Sequence, residues 1–232
     1  AAHDRQALVE FAPQLRDLLG VLRLLLGAPA VGHGLAQGEQ GRGRDDDHAR
    51  GHGRGHQVRL TDLSLEMLQM AQQQAEEQGL TALTSFANLG LQQLVPEQQQ
   101  YPVVLCHAVL EWLADPQQAI DQLWQLVEPG GVLSLMFYNI DAKRFSNIVY
   151  GNFNYVLRDL AYKKKVSLSP QNPLDPRAVS QWCQDAGFVQ LSKTGVRCFH
   201  DYLRDRSEQE SEFDKLLEVE LRFNRTEPYA SL

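Results

Sequence analysis

Cysteine is scarce in this 232-residue chain: Cys106, Cys183 and Cys198 are widely spaced and odd in number. That excludes a disulfide framework and a Cys-x-x-Cys metal knuckle, and a reduced cytoplasmic protein is expected. Long apolar runs are missing as well. The leucine-rich stretch 18–26 falls far short of the roughly 20 residues a membrane helix needs, and no cleavage-site pattern follows it. Basic residues are almost absent from 59–136, where Arg59 stands against nine acids. With a net charge of −7, the chain is not a general nucleic-acid-coating protein. What remains is globular composition, 43% apolar and 22% charged, at a length that fits one domain over residues 1–232 with a small insertion.

The missing cations are concentrated elsewhere. Residues 137–200 carry nine bases against four acids, and 201–227 return to nine acids against five bases. The island includes Lys143, Arg144, Arg158, the run Lys163, Lys164 and Lys165, and Arg197. A basic island in an acidic chain predicts one face for an anionic partner, centred on an insertion at 140–175. For the lysine run, a solvated surface loop is the alternative.

Between 55 and 195 the pattern is regular. Gly55-His-Gln-Val-Arg-Leu-Thr-Asp62 reads as a short strand ending in an acid, and 63–78 has helical apolar spacing with Gly79 as its cap. Residues 86–94 read as a weak strand and loop, and 102–107 as a buried parallel strand. Asp115-Pro opens a helix over 119–127, Glu128-Pro-Gly-Gly131 makes a turn, and 132–138 is a second buried strand. Asp175-Pro-Arg opens a helix over 178–186, Gly187 caps it, and 188–194 is expected to be a further strand. Strands alternating with helices predict βαβ units and an α/β fold, a mostly parallel, doubly wound sheet flanked by helices. Such sheets bind ligands at the carboxyl ends of their strands, which places Asp62 and His107 at one rim. A carboxylate there can accept from both hydroxyls of a ribose. Asp62 can equally cap the following helix, and His107 can equally be a satisfied strand-end histidine.

The segment His107-Ala-Val-Leu-Glu-Trp-Leu-Ala-Asp-Pro116, with Glu128-Pro-Gly-Gly-Val-Leu-Ser-Leu-Met-Phe-Tyr-Asn139, resembles the Rossmann-like class I S-adenosylmethionine-dependent methyltransferases. Gly151-Asn-Phe-Asn-Tyr155, Lys163-Lys-Lys-Val-Ser-Leu-Ser-Pro170 and Lys193-Thr-Gly-Val-Arg-Cys-Phe-His-Asp-Tyr-Leu203 are more specific: they resemble the bacterial tRNA 5-carboxymethoxyuridine methyltransferases. The resemblance runs from about Gly55 to Tyr229. It implies S-adenosylmethionine as cofactor and methyl transfer to the carboxylate of 5-carboxymethoxyuridine at the tRNA wobble position, giving the methyl ester. It further implies that Asp62 holds the cofactor ribose, that His107 contacts the cofactor, that Leu91 and Gln92 lie on its adenine side, and that Arg16 meets its methionine carboxylate.

The pattern breaks at 27–55. That stretch holds nine of the seventeen glycines and no Ile, Phe, Tyr, Trp or Met, so no buried strand can be built there. Gly41 and Gly43 stand where the family's cofactor loop places glycines, but no apolar strand precedes them. One permitted codon choice for residues 45–53 reads, one base along, as an amphipathic helical stretch, so part of this region is expected to be out of frame, with a locally disordered loop as the alternative. His48, His52 and His56 have the i, i+4 spacing of a zinc helix, but Gly51, Gly53 and Gly55 disfavour that helix, and no metal is expected. The resemblance also implies a lead before Ala1 and a final strand after Leu232.

A carboxylate acceptor with a pKa near 4 is ionised at neutral pH, so no general base is needed. A tight arginine fork on it would stabilise the ground state too well, so hydrogen bonds or one cation are expected to orient it. Candidates are Tyr138, Asn139 and Arg197. The anticodon stem-loop is expected against Lys163, Lys164 and Lys165, with Phe145, Tyr150, Phe153 and Tyr155 either stacking loop bases or filling a subdomain core. Two rivals stand beside this reading: a small-molecule methyltransferase of the same fold, and a non-catalytic tRNA-binding remnant without a working cofactor loop.

Overall fold

The computed structural model describes residues 57–161 and 172–232. The chain divides at Pro96 into two compact units.

In the first unit, β1 (Val58–Thr61), α1 (Leu65–Glu77) and β2 (Thr84–Ala87) form a βαβ unit with parallel strands, Val58 opposite Thr84 and Thr61 opposite Ala87. Ser64 starts α1 by accepting the Met67 N–H on its hydroxyl at 3.3 Å. Gly79 follows the helix at φ +68°, a left-handed turn where glycine carries no Cβ penalty. Leu68, Ala71 and Ala75 are buried along one face of α1, and Ala75 and Leu80 form a core with Leu83 and Phe86. A single turn, α2 (Leu91–Leu94), ends the region predicted as strand and loop.

In the second unit, β3 (Tyr101–His107) and β4 (Val127–Met136) pair in parallel and are joined through α3 (Pro116–Leu126). Asp115 caps α3 by accepting the Gln118 N–H at 2.9 Å, with Pro116 in the first turn. Ala119, Ile120, Leu123 and Leu126 bury one face of that helix. The Pro-Gly-Gly segment lies within β4 rather than before it. The step from Tyr101 to Val103 on β3 is matched by the step from Val127 to Val132 on β4, so the turn chemistry appears as a break in register. Gly131 sits at that break, where a Cβ would come within 2.9 Å of the Pro102 and Glu128 carbonyls. Only Cys106 of β3 is buried, because among the described residues this strand has a single partner.

After β4 come α4 (Ile140–Val149) and the short α5 (Phe153–Val156), then α6 (Pro176–Ala186), capped by Asp175 and ended by Gly187 at φ +108°. Short α7 (Glu208–Ser211) and α8 (Phe213–Phe223) follow. The strand expected over 188–194 is absent from the described structure. Phe188 packs edge-on against Trp124 with centroids 4.8 Å apart, but Val189 is 81% exposed, and no described strand offers this segment a ladder. The described fold is therefore α/β, with its strands in two parallel pairs.

Candidate functional site

In the first unit the chain leaves β1 at Asp62. Its Oδ1 accepts the Ser64 N–H at 2.7 Å, so Ser64, not Asp62, caps α1 while Asp62 shapes the approach. Asn88, just past β2, donates its side-chain amide to the Asp62 and Leu63 carbonyls, both at 2.9 Å. Sequence reasoning missed Asn88 as the brace of this loop. Gly90 abuts it: a Cβ there would lie 3.2 Å from Leu63 Cδ2. The Gly90 N–H donates to Gln93 Oε1 at 2.8 Å and starts the turn that carries Leu91 and Gln92. The Asp62 loop and the Leu91–Gln92 turn are thus neighbours at the carboxyl ends of β1 and β2.

In the second unit His107 is the last residue of β3, and its Nε2 lies 2.9 Å from Ser134 Oγ on β4. Burial holds the His107 ring below the usual histidine range, so it is neutral at pH 7. Ala108 follows at φ +56°, its N–H bonded to the Met136 carbonyl at 2.9 Å, and the chain turns through Val109 to Glu111. Glu111 is the one buried charged residue among those described, and its Oε2 has no partner. Burial raises its pKa, opposed by hydrogen bonds from its own N–H and that of Tyr138. Nothing in Leu-Glu-Trp distinguishes such a carboxyl from a solvated one, and the sequence reading passed over it.

Tyr138 and Asn139 follow β4. The Tyr138 carbonyl accepts the Leu174 N–H at 2.8 Å, and Leu174 returns its own carbonyl to Ile140 N–H at 3.0 Å. Burial, with Tyr155 and Asp201 nearby, raises the Tyr138 pKa, so the phenol remains a donor. Lys143 Nζ stands 5.8 Å from its ring centroid. The Asn139 side chain is engaged at both ends: Oδ1 caps α4 by accepting the Asp141 N–H at 2.8 Å, and Nδ2 donates to the Ser231 carbonyl at 2.7 Å. Arg197, at φ +60°, is ion-paired with Asp201. Arg16, Gly41, Gly43, Lys163, Lys164 and Lys165, and the stretch 27–55, lie outside the described residues.

Residues 40–135 match the methyltransferase domain family. The tRNA 5-carboxymethoxyuridine methyltransferase of Escherichia coli K12 is 47% identical over 181 residues, 77% of this chain and 69% of that protein. The ubiquinone biosynthesis O-methyltransferase of Leptothrix cholodnii is 32% identical over 140 residues, 58% of this chain and 55% of that enzyme. Its counterpart in Haemophilus ducreyi is 30% identical over 128 residues, 54% of this chain and 52% of that enzyme. With the strand-end acid, the strand-end histidine and the parallel pairs in place, this chain belongs to the tRNA 5-carboxymethoxyuridine methyltransferase family of methyltransferase-domain proteins.

Proposed function

We propose that this chain methylates the carboxylate of 5-carboxymethoxyuridine at the tRNA wobble position, using S-adenosylmethionine and giving the methyl ester. The observation that carries the reading is the 47% identity over 77% of the chain to a tRNA 5-carboxymethoxyuridine methyltransferase. In this reading residues 1–232 work as one domain with a mostly parallel, doubly wound sheet, and the protein acts in the cytoplasm, where its tRNA is.

The donor set suits the cofactor. Among the described residues one oxygen of Asp62 takes a backbone N–H, and the carboxylate has acceptor capacity for a ribose diol. His107 is neutral at pH 7 and brings no like charge to a sulfonium. In the first unit Asp62 would hold the ribose and the Leu91–Gln92 turn the adenine side; in the second, His107 would contact the cofactor. When bound, the cofactor supplies an activated methyl group. The protein's task is then to place a carboxylate oxygen in line and exclude water, an effect worth about 7–11 kcal/mol. Tyr138 suits the orienting role: its phenol stays protonated, and Lys143 supplies a single cation beside it rather than a fork. Asn139 contributes by fixing the start of α4, and Arg197 by shaping the loop before Asp201. The anticodon stem-loop would lie along α4, α5 and the Lys163–Lys165 run.

Calorimetric titration with S-adenosylmethionine, followed by incubation with labelled cofactor and tRNA carrying 5-carboxymethoxyuridine, tests the reading. Micromolar cofactor binding and a tRNA-borne label released by mild base, as an ester requires, support it. Binding without transfer to this tRNA favours a small-molecule acceptor. No cofactor binding favours a remnant that has lost its loop.

A further inference from the structure

Arg206 lies in an acidic stretch, yet it reaches across 56 positions of sequence to Tyr150 at the end of α4. Its guanidinium carbon stands 5.4 Å from the Tyr150 ring centroid, and its Nη2 donates to the Tyr150 hydroxyl at 3.1 Å. The same hydroxyl donates to the Asp201 carbonyl at 2.6 Å. The loop that presents Asp201 is itself rigidly held: Glu220 accepts the N–H groups of Cys198, Phe199 and His200 at 2.8–3.0 Å. Beneath it Tyr202 meets Phe145 edge-on with centroids 5.0 Å apart.

The charges on this surface are not equivalent. Asp201 is already paired with Arg197 and with His200 Nδ1, so its carboxylate is engaged locally. Among the described residues Arg206 has a phenol rather than a carboxylate as its partner, so its positive charge is offered at the surface. Tyr150 remains 45% exposed and Phe153, on α5, 59% exposed. A planar cation on an aromatic ring, with a second open aromatic nearby, suits one unpaired nucleotide: a phosphate for the guanidinium and a base to stack on a ring.

We infer that Arg206 and Tyr150 form a nucleotide-binding pair for an unpaired residue of the anticodon loop, outside the lysine run. The inference rests on the tRNA reading above. The phosphate is taken by the guanidinium, and the Tyr150 tether to the Asp201 carbonyl holds the ring in place.

The test is direct binding of a synthetic anticodon stem-loop carrying 5-carboxymethoxyuridine, measured over a salt series beside calorimetric titration with S-adenosylmethionine. Arg206→Ala, at an exposed position, is expected to weaken RNA binding about tenfold and to reduce the log–log salt slope by about 0.7–0.9. Arg206→Lys should restore the slope but only part of the affinity, because an ammonium does not lie flat on a ring. Tyr150→Ala should weaken binding about tenfold with the slope nearly unchanged. Tyr150→Phe keeps the ring and reports separately on the tether. Cofactor affinity should stay at the wild-type value in every variant. RNA affinity and slope equal to wild type in both alanine variants would overturn the pair while leaving the tRNA reading intact. An equal loss of heparin binding in Arg206→Ala, with Tyr150→Ala silent, would overturn it in favour of diffuse charge. A wild-type protein that neither binds nor methylates the RNA would overturn the pair and the tRNA reading together.

Discussion

His107 Nε2 and Ser134 Oγ face each other at 2.9 Å across β3 and β4. The pair fixes the ring at the carboxyl end of the strands, and burial keeps it below the histidine range of 6.5. Because the folded pKa is depressed, the stability tied to this ring is fully present above pH 6.5 and is lost as the pH falls through the folded value. Cofactor affinity should follow the same course, since a protonated ring would repel a sulfonium. Titrations with S-adenosylmethionine should be flat from pH 8 to 6.5 and weaken below, whereas His107→Gln should be weaker but flat throughout. Ser134→Ala should cost about 0.5–1.5 kcal/mol of cofactor binding, roughly two- to tenfold. A wild-type affinity that rises on acidification would contradict the assignment.

Glu111 predicts the opposite pH behaviour. Its folded pKa is raised above 4.5 by burial, so its stabilising contribution is complete below 4.5 and declines as the pH rises through the folded value. Glu111→Gln removes that decline, so urea midpoints of the variant should fall less between pH 4.5 and 7 than those of the wild type. Glu111→Ala removes the acceptor of the Tyr138 N–H as well and should destabilise by about 1–3 kcal/mol. Identical pH profiles for Gln variant and wild type would show that this carboxyl does not titrate in that range.

Asn139 separates a capping role from a substrate role. Its side chain accepts from Asp141 N–H and donates to the Ser231 carbonyl, so Asn139→Ala should lower stability by about 1 kcal/mol, while Asn139→Asp keeps the cap but sets a carboxylate oxygen against that carbonyl. Thermal melts of the two variants should differ by roughly 2–4 °C. If both variants bind tRNA like the wild type, Asn139 acts through α4 alone.

The helices were legible because their ends are chemically marked. Ser64, Asp115 and Asp175 open α1, α3 and α6, and Gly79 and Gly187 take the left-handed turns after the first and last of these. The strand edges were less so. Val127 enters β4 before the Pro-Gly-Gly segment because a register break absorbs the turn, and 188–194 has strand-like composition without a strand beside it. The strand-end positions of Asp62 and His107 were readable because the strands fix them. The surroundings of Glu111, Ser134 and Arg206 were not, because each is set by a partner distant in sequence or by burial. The cap that Asn139 makes on α4 was not anticipated, because its place after a strand pointed to a role at the rim.

Glu220 carries the last prediction. Its two oxygens accept three consecutive backbone N–H groups, those of Cys198, Phe199 and His200, and so turn an otherwise irregular segment into a fixed loop. Charge-assisted bonds of this kind contribute about 1.5–3 kcal/mol each when taken singly, and they share one carboxylate, so they do not add. Glu220→Ala should therefore destabilise by about 3 kcal/mol, lowering the melting temperature by roughly 6–12 °C. Glu220→Gln keeps one acceptor oxygen but turns an N–H₂ toward a backbone donor, and should fall between the two. Because Asp201 lies directly after His200 and tethers Tyr150, the Gln variant should also lose RNA affinity while retaining cofactor affinity. A Gln variant that melts like the wild type would mean that backbone packing, with Phe199 against Tyr229 at 5.0 Å, holds the loop without the carboxylate.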